Sequence, residues 1–106
     1  MDQKNEVKKI VLLLIIGVCD SIRSKTISID EAEHYIFSPH SMRLLDFDEE
    51  LKKIIHLGTE FENLARLVPD AMDEAVIDVK RRAEIALCRM PPCDYQAEPW
   101  LDNLLS

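Results

Sequence analysis

The stretch that decides the fold is Asn5–Ser24, NEVKKIVLLLIIGVCDSIRS, which is apolar from residue 10 to residue 19 if its glycine is counted. Five of its apolar residues recur at spacings of four, three, four and four, which predicts one face of a helix: Val7, Val11, Leu14, Val18 and Ile22. Leucines and isoleucines also occupy its other faces. We therefore expect a central helix that neighbouring helices cover on most sides.

The apolar run is too short to cross a bilayer, which takes about 20 residues. Basic residues precede it, as in a signal peptide, but Asp2 and Glu6 dilute them and no small-residue cleavage site follows Cys19. The other cysteines are Cys88 and Cys93, so the number is odd and no C-x-x-C pair occurs. Such usage favours reduced thiols. We expect a cytoplasmic protein that does not enter the membrane.

Capping signals divide the next part of the chain into short helices. The sequence Ser28-Ile29-Asp30-Glu31 has the pattern of a capping box and predicts a helix to about residue 37. Ser38-Pro39 supplies an N-cap and a first-turn proline, which predicts another short helix over about residues 39–45.

Two more helices are predicted between residues 46 and 68. The first begins at Asp46, and we expect Gly58 to follow its last residue as a C-terminal cap. The second begins at Thr59-Glu60-Phe61-Glu62, which has the pattern of a second capping box.

A last long helix is predicted from Pro69 to about residue 90, where Pro91-Pro92 stops it. Its apolar residues repeat at heptad spacing and form a seam of Met72, Val76, Val79, Ala83, Ala86 and Met90. We expect this seam to pack on the first helix, with pairing of two chains through it as the alternative. Residues 91–106 are expected to be extended, with a short turn at Trp100–Leu105. This tail packs either on the bundle or on a partner.

The sequence therefore predicts an all-α protein. We expect a single compact bundle of five to six helices, with long first and last helices and short helices between them. Residues 1–106 are interpreted as one domain, of which residues 91–106 form a proline-containing tail. The chain has only two glycines and no Asn-Gly or Asp-Gly pair, so tight hairpin turns and an all-β fold are disfavoured.

Few residues are arranged for catalysis. Two glycines are too few for a dinucleotide-binding fingerprint, a Walker A loop or a nucleophile elbow. The histidines His34, His40 and His56 form no motif with metal-ligand spacing. The serines beside His40 are interpreted as helix caps. We therefore expect no enzyme, no cofactor and no metal site, although a metal-dependent enzyme assembled from distant side chains stays an alternative.

The informative signal is the position of the charge. The net charge is −7, and residues 46–78 alone hold ten acids and three bases, which equals the whole excess. A segregated acidic face raises the association rate with basic partners and disfavours nucleic acid. Aromatic residues commonly anchor protein interfaces. We predict that the partner-binding residues are Asp46, Phe47, Asp48, Glu49, Glu50, Glu60, Glu62 and Trp100.

Three segments carry a resemblance to a small bacterial family of unassigned function: Ile27–Glu33, Phe37–Pro39 and His56–Glu60. The resemblance covers about residues 27–69 and brings no catalytic residue with it. In size, acidity and helicity the chain also resembles the immunity proteins of contact-dependent growth-inhibition systems. That second resemblance implies an inhibitor that covers a toxin.

The function predicted from the sequence is that of an immunity-type binding protein. It would neutralise a basic toxin, such as a nuclease, by occluding it with an acidic face and without chemistry of its own. The alternative is a homodimeric structural or regulatory protein that pairs through the Met72–Met90 seam. The protein is accordingly expected to be a monomer or a homodimer.

Overall fold

The computed structural model describes residues 3–93 and 99–105, and over these residues the chain is helical with no strand. A 3-10 turn over Pro69–Ala71 precedes the sixth of seven α-helices. The helices are α1 Gln3–Arg23, α2 Ile29–Tyr35, α3 Pro39–Leu44, α4 Glu49–Thr59, α5 Phe61–Leu67, α6 Met72–Cys88 and α7 Trp100–Leu105. The predicted all-α bundle, with short helices between two long ones, is confirmed.

The two long helices pack side by side and antiparallel. At one end Arg23 Nε lies 2.9 Å from a carboxylate oxygen of Asp73, and at the other end Lys9 Nζ donates to the carbonyl of Pro91 over 2.8 Å. The predicted seam of α6 lies inside this core, and its central members are fully buried: Val76, Val79, Ala83 and Ala86. A homodimer through that seam would therefore have to open the core of each chain.

The face that α1 buries differs from the predicted one. Its buried residues are Leu12, Ile15, Val18 and Cys19, whereas Leu14 is 42% exposed and Leu13 is 55% exposed. Within the part of the chain that the structure describes, α1 packs chiefly on α6 and to a smaller extent on α2. The expectation that α1 is covered on most sides is wrong, because the short helices gather on one side of the α1–α6 pair.

The caps of α2 and α3 are confirmed. The amide of Glu31 donates to Ser28 Oγ over 3.0 Å, and the amide of Ser28 donates to Glu31 Oε1 over 3.4 Å, which completes the capping box. The amide of Ser41 likewise donates to Ser38 Oγ over 3.1 Å, with Pro39 in the first turn. These side chains satisfy amides that have no partner inside their own helix.

The predicted ends of α4 need correction. Asp48 is its N-cap, since the amide of Leu51 donates to Asp48 Oδ1 over 2.9 Å. Gly58 lies inside the helix, buried and with a negative φ, and Thr59 donates its hydroxyl to the carbonyl of His56 instead of capping α5. The second capping box is therefore absent, and α5 begins without a side-chain cap.

Gly58 is required where it lies because α4 passes directly against an aromatic ring. A Cβ atom on Gly58 would overlap the ring of Phe37, which is itself fully buried. The Phe37 ring meets the ring of Phe61 edge to face, with 5.3 Å between centroids. Through its contacts with Gly58 and Phe61, Phe37 connects the end of α2 to α4 and to the start of α5.

No helix in residues 3–93 or 99–105 is long and apolar enough to cross a membrane. The three cysteines are free thiols. Cys19 is a core residue, as predicted, and burial raises the pKa of its thiol to about 12, so it is protonated at neutral pH.

Candidate functional site

The structure separates the predicted contact residues into three places. The N-terminal end of α4 holds Asp46, Phe47, Asp48, Glu49 and Glu50, whereas Glu60 and Glu62 follow its C-terminal end. An α-helix of the length of α4 spans about 16 Å. The third place is α7, which carries Trp100. These residues therefore do not form one continuous face.

The N-terminal end of α4 holds a cluster of opposite charges, which we name the Lys8 cluster: Lys8, Asp48, Glu50 and Arg89. Lys8 Nζ lies 2.9 Å from Asp48 Oδ2 and 3.2 Å from Glu50 Oε1, and the Lys8 side chain is only 14% exposed. Arg89 pairs with the other oxygen of Glu50. Two predicted contact residues, Asp48 and Glu50, therefore neutralise cations of their own chain.

The pKa values in the Lys8 cluster follow from this pairing. Partial burial disfavours the Lys8 ammonium, but the hydrogen bonds and charges of Asp48 and Glu50 outweigh it and raise the pKa of Lys8. Burial likewise disfavours the ionised form of Asp48, but hydrogen bonds from Lys8 and from the amide of Leu51 hold the pKa of Asp48 below its ordinary value. Both groups are charged at neutral pH.

The neighbouring predicted residues are also engaged. Asp46 Oδ1 lies 2.6 Å from Lys52 Nζ, and Lys4 Nζ lies 5.8 Å from the centroid of the Phe47 ring. Phe47 is 40% exposed beneath that ammonium. Of the acids at this end of α4, Glu49 is the one that forms no ion pair within the described residues.

Three other carboxylates meet without a cation, in a group that we name the acidic corner: Asp30, Glu33 and Glu62. Asp30 and Glu33 are one turn apart on α2, and Glu62 lies in the first turn of α5, which packs on α2. Asp30 and Glu62 both lie close enough to Glu33 for their carboxylates to raise the pKa of its side chain. None of the ion pairs between described residues includes these three groups.

The acidic corner raises the pKa of Glu33. Burial contributes most, followed by the hydrogen bond with Glu62 and the charges of Glu62 and Asp30. Like charges held this close disfavour each other's ionised form. A cation from outside the chain would relieve that repulsion.

Packing of the aromatic residues explains why the corner forms. Phe37 follows α2 and Phe61 opens α5, so their contact brings the acids of the two helices together. Glu62 is one of the predicted contact residues, whereas Asp30 and Glu33 are not, because they lie outside the acidic window of residues 46–78. The available signal was the spacing of three residues between them, which places both on one face of a short helix.

Metal chemistry has no support in the described regions of the chain. No group of three or more His, Cys, Asp and Glu side chains there is placed to hold a metal ion, and the acidic corner is no exception. The side chains of His34, His40 and His56 are exposed. The corner is a site of negative charge where α2 packs on α5.

A second surface lies between α4 and α6. It is a groove of about 390 Å³ with an apolar floor, and its lining carries three cations and one carboxylate. We name it the α4–α6 groove, lined by Glu50, Lys53, Ile54, Leu57, Arg82, Ile85 and Arg89. The groove could not be predicted from the sequence, since its residues come from two helices that lie far apart along the chain.

The remaining predicted contact residue, Trp100, is 45% exposed on α7. α7 is not among the helices that pack extensively on one another, and its other apolar residues are exposed as well. The structure therefore does not bring Trp100 to either acidic region of the bundle.

A family model described as "Protein of unknown function (DUF3969)" matches residues 2–102, and the chain belongs to this family. The match covers nearly the whole chain and confirms the predicted resemblance to a family of unassigned function. No curated protein and no solved structure matches the chain. The resemblance to immunity proteins stays a prediction.

Proposed function

We propose that this member of the family is a binding protein that captures a basic protein partner on its acidic corner. Its specific role, in this proposal, is that of an immunity-type inhibitor which occludes a basic toxin such as a nuclease. The observation that carries the proposal is the packing of α2 on α5, which brings Glu33 near Glu62 while no ion pair among the described residues includes either carboxylate. The protein acts by covering the partner and contributes no catalytic group.

The proposal moves the contact surface relative to the sequence prediction. Asp46, Asp48 and Glu50 are paired within the chain, so a partner would have to displace Lys52, Lys8 or Arg89 to reach them. The acidic corner has no such competitor among the described side chains. Glu60, the residue before α5, accepts a hydrogen bond from the Asn63 side chain and belongs to no ion pair among the described residues.

Physical chemistry favours a lysine- or arginine-rich partner at this corner. A guanidinium or ammonium placed between Glu33 and Glu62 would replace a like-charge contact by charge-assisted hydrogen bonds. Complementary potentials also speed the encounter and reject partners of the wrong sign. Nucleic acid is disfavoured as a partner, because the three carboxylates of the corner would repel its phosphates.

The test uses a basic toxin domain that is encoded beside a gene of this family, with the double variant Glu33→Lys/Glu62→Lys. We expect the dissociation constant of the complex to rise at least about tenfold, or 1.4 kcal/mol. We also expect the toxin to stay active at a concentration of the variant at which the unaltered protein inhibits it. The measurements are titration calorimetry and the toxin assay.

The matched control is Asp70→Lys/Glu74→Lys, which makes the same change of charge at exposed acids outside the corner. We expect this variant to bind and protect almost as the unaltered protein does. Binding that survives reversal of the corner, or that falls equally in both variants, would contradict the proposed site. Failure of the unaltered protein to bind or silence any such toxin would contradict the immunity role.

The pH dependence of binding gives a second readout. A partner's cation favours ionised Glu33, whose pKa is raised in the free protein, so binding in mildly acidic buffer should release protons. We expect the affinity to increase as the pH rises through the pKa of Glu33. The variant Glu33→Gln should lose most of this dependence.

A further inference from the structure

The α4–α6 groove is positively charged in a chain of net charge −7. Lys53 forms no ion pair among the described residues, whereas Arg82 pairs with Asp78 and Arg89 pairs with Glu50. A guanidinium carries five N–H donors, so both arginines keep donors for a further acceptor. The rim of the groove therefore suits a ligand that brings negative charge.

The floor of the groove is apolar. Ile54 is buried at its base and Leu57 is half-buried, while Ile85 is 53% exposed on α6. Because Ile85 exposes apolar surface between cations, an apolar group of a ligand that covers this side chain would stabilise the complex. The groove therefore combines apolar contact with positive charge, the pattern that an amphipathic acidic helix fits.

The C-terminal helix of this chain has the matching properties. Its apolar residues fall at spacings that place them along one side of a helix, and all four are 45–80% exposed: Trp100, Leu101, Leu104 and Leu105. The sequence from residue 93 to residue 106 contains three acids and no base. One of these acids, Asp102, lies within α7.

We propose that α7 of a second copy of this chain docks in the α4–α6 groove, so that two chains exchange their C-terminal helices. The lengths agree, since six helical residues span about 9 Å and the distance along α6 from Arg82 to Arg89 is about 10 Å. Charge complementarity orients α7, and Trp100 supplies the largest apolar contact. A reciprocal exchange fills both grooves and closes the assembly as a two-fold dimer.

The course of the chain after α6 favours exchange over folding back. Lys9 of α1 binds the carbonyl of Pro91 over 2.8 Å, so the chain leaves α6 on the side of α1 rather than on that of α4. Pro91-Pro92 restricts the backbone at this exit to extended conformations. The proposal is independent of the acidic corner and goes beyond the proposed capture of a basic partner.

Trp100 is the only tryptophan, so intrinsic fluorescence reports the environment of α7 alone. The experiment measures emission and sedimentation of the full chain over a wide range of concentration. We expect a dimer at high concentration and emission that moves to shorter wavelength as the dimer forms. A monomer throughout, or emission that does not follow association, overturns the proposal.

Two variants locate the contact. In the groove variant Lys53→Glu/Ile85→Glu, and in the tail variant Trp100→Ala/Leu104→Glu, the altered side chains are exposed, so both proteins should fold. Each should raise the dimer dissociation constant at least about tenfold. The matched control Lys25→Glu/Leu13→Glu makes the same change of charge at an exposed lysine in the turn after α1 and an exposed leucine of α1, both outside the groove, and it should dimerise normally.

Mixing the two variants separates exchange from folding back. The tail variant keeps an intact groove and has no tryptophan, whereas the groove variant keeps an intact tail. In an equal mixture, the intact α7 of the groove variant can dock in the intact groove of the tail variant, so its emission should shift although the reciprocal contact of the mixed pair stays broken. An emission that does not change when the tail variant is added, or loss of the dimer in the control, overturns the proposed exchange.

Discussion

The Lys8 cluster and the acidic corner are both built from carboxylates of the short helices, yet cations of the same chain neutralise the first and pair with none of the acids of the second among the described residues. In the Lys8 cluster, Lys8 of α1 and Arg89, which follows α6, reach Asp48 and Glu50 at the start of α4. In the acidic corner, packing of α2 on α5 brings Glu33 to Glu62, and no cation of the described residues pairs with either. The number of acids in a sequence window therefore does not tell which of them a partner can reach.

The two regions also respond to pH in opposite ways. The pKa of Asp48 is lowered, so its pairing stabilises the fold above the ordinary pKa of 3.8 and is lost as the pH falls below it. The pKa of Glu33 is raised, so its ionisation opposes folding, and stability falls as the pH rises above the ordinary value of 4.5. Substitutions in each region should therefore change the pH dependence of the free energy of unfolding in opposite directions.

The largest expected effect comes from the contact that holds the acidic corner together. In Gly58→Ala the new methyl group would overlap the Phe37 ring, and we expect a loss of about 1–3 kcal/mol in the free energy of unfolding. Helix propensity alone would favour alanine by about 1 kcal/mol. Chemical denaturation measures the difference.

Gly17→Ala is the matched control, since a Cβ atom at Gly17 of α1 meets no other atom within 4 Å. It should increase the stability by up to about 1 kcal/mol. If the two substitutions change stability in the same direction, close packing of Phe37 on α4 does not hold the corner.

The second effect tests the Lys8 cluster. Lys8→Gln leaves two partly buried carboxylates without their shared cation, and we expect a loss of about 1–2 kcal/mol at neutral pH. The difference from the unaltered protein should shrink as the pH falls and Asp48 becomes protonated. It should also shrink in strong alkali, because the raised pKa of Lys8 stabilises the fold only until that ammonium is deprotonated.

Lys25→Gln removes an exposed lysine that forms no ion pair among the described residues, and it should change stability by less than about 0.5 kcal/mol. Urea denaturation at several pH values compares the two variants. An equal effect of both would mean that the Lys8 cluster is no stronger than ordinary surface charge.

The smallest effect is expected in the acidic corner itself. Glu33→Gln removes the repulsion with Glu62 and should raise the free energy of unfolding by roughly 0.2–0.5 kcal/mol at neutral pH. The gain should vanish below the ordinary pKa, where the glutamate is protonated in both states. Glu74→Gln, at an exposed acid of α6, should bring no comparable gain, and a stability loss in Glu33→Gln would contradict the interpretation of the corner.

Local signals predicted the helices well where a cap or a proline sets the boundary. Ser28 and Ser38 cap the helices they were expected to cap, because each bond joins residues three apart in sequence. The same pattern failed at Thr59, where α4 continues past Gly58 to accommodate Phe37. A capping box and a helix-ending glycine are local preferences, and a buried aromatic contact outweighs them.

Only the sign of the charge at the candidate site could be predicted from the sequence. Residue counts identified a segregated negative charge, but five of the eight predicted contacts either meet a cation of their own chain or lie on α7: Asp46, Phe47, Asp48, Glu50 and Trp100. Asp30 and Glu33 were missed since charge was counted along the chain. Electrostatic interaction depends on distance in space, which the sequence does not contain.

The sequence by itself determined that this chain is helical, that α6 offers an apolar seam and that the protein is acidic. Those properties follow from periodicity and composition, which act over a few residues. The tertiary structure alone decided that α1 keeps an uncovered face. It also decided that ion pairs neutralise carboxylates at the start of α4, and that an acidic corner forms between α2 and α5. Each of these depends on which side chains the packing brings within a few ångströms of one another.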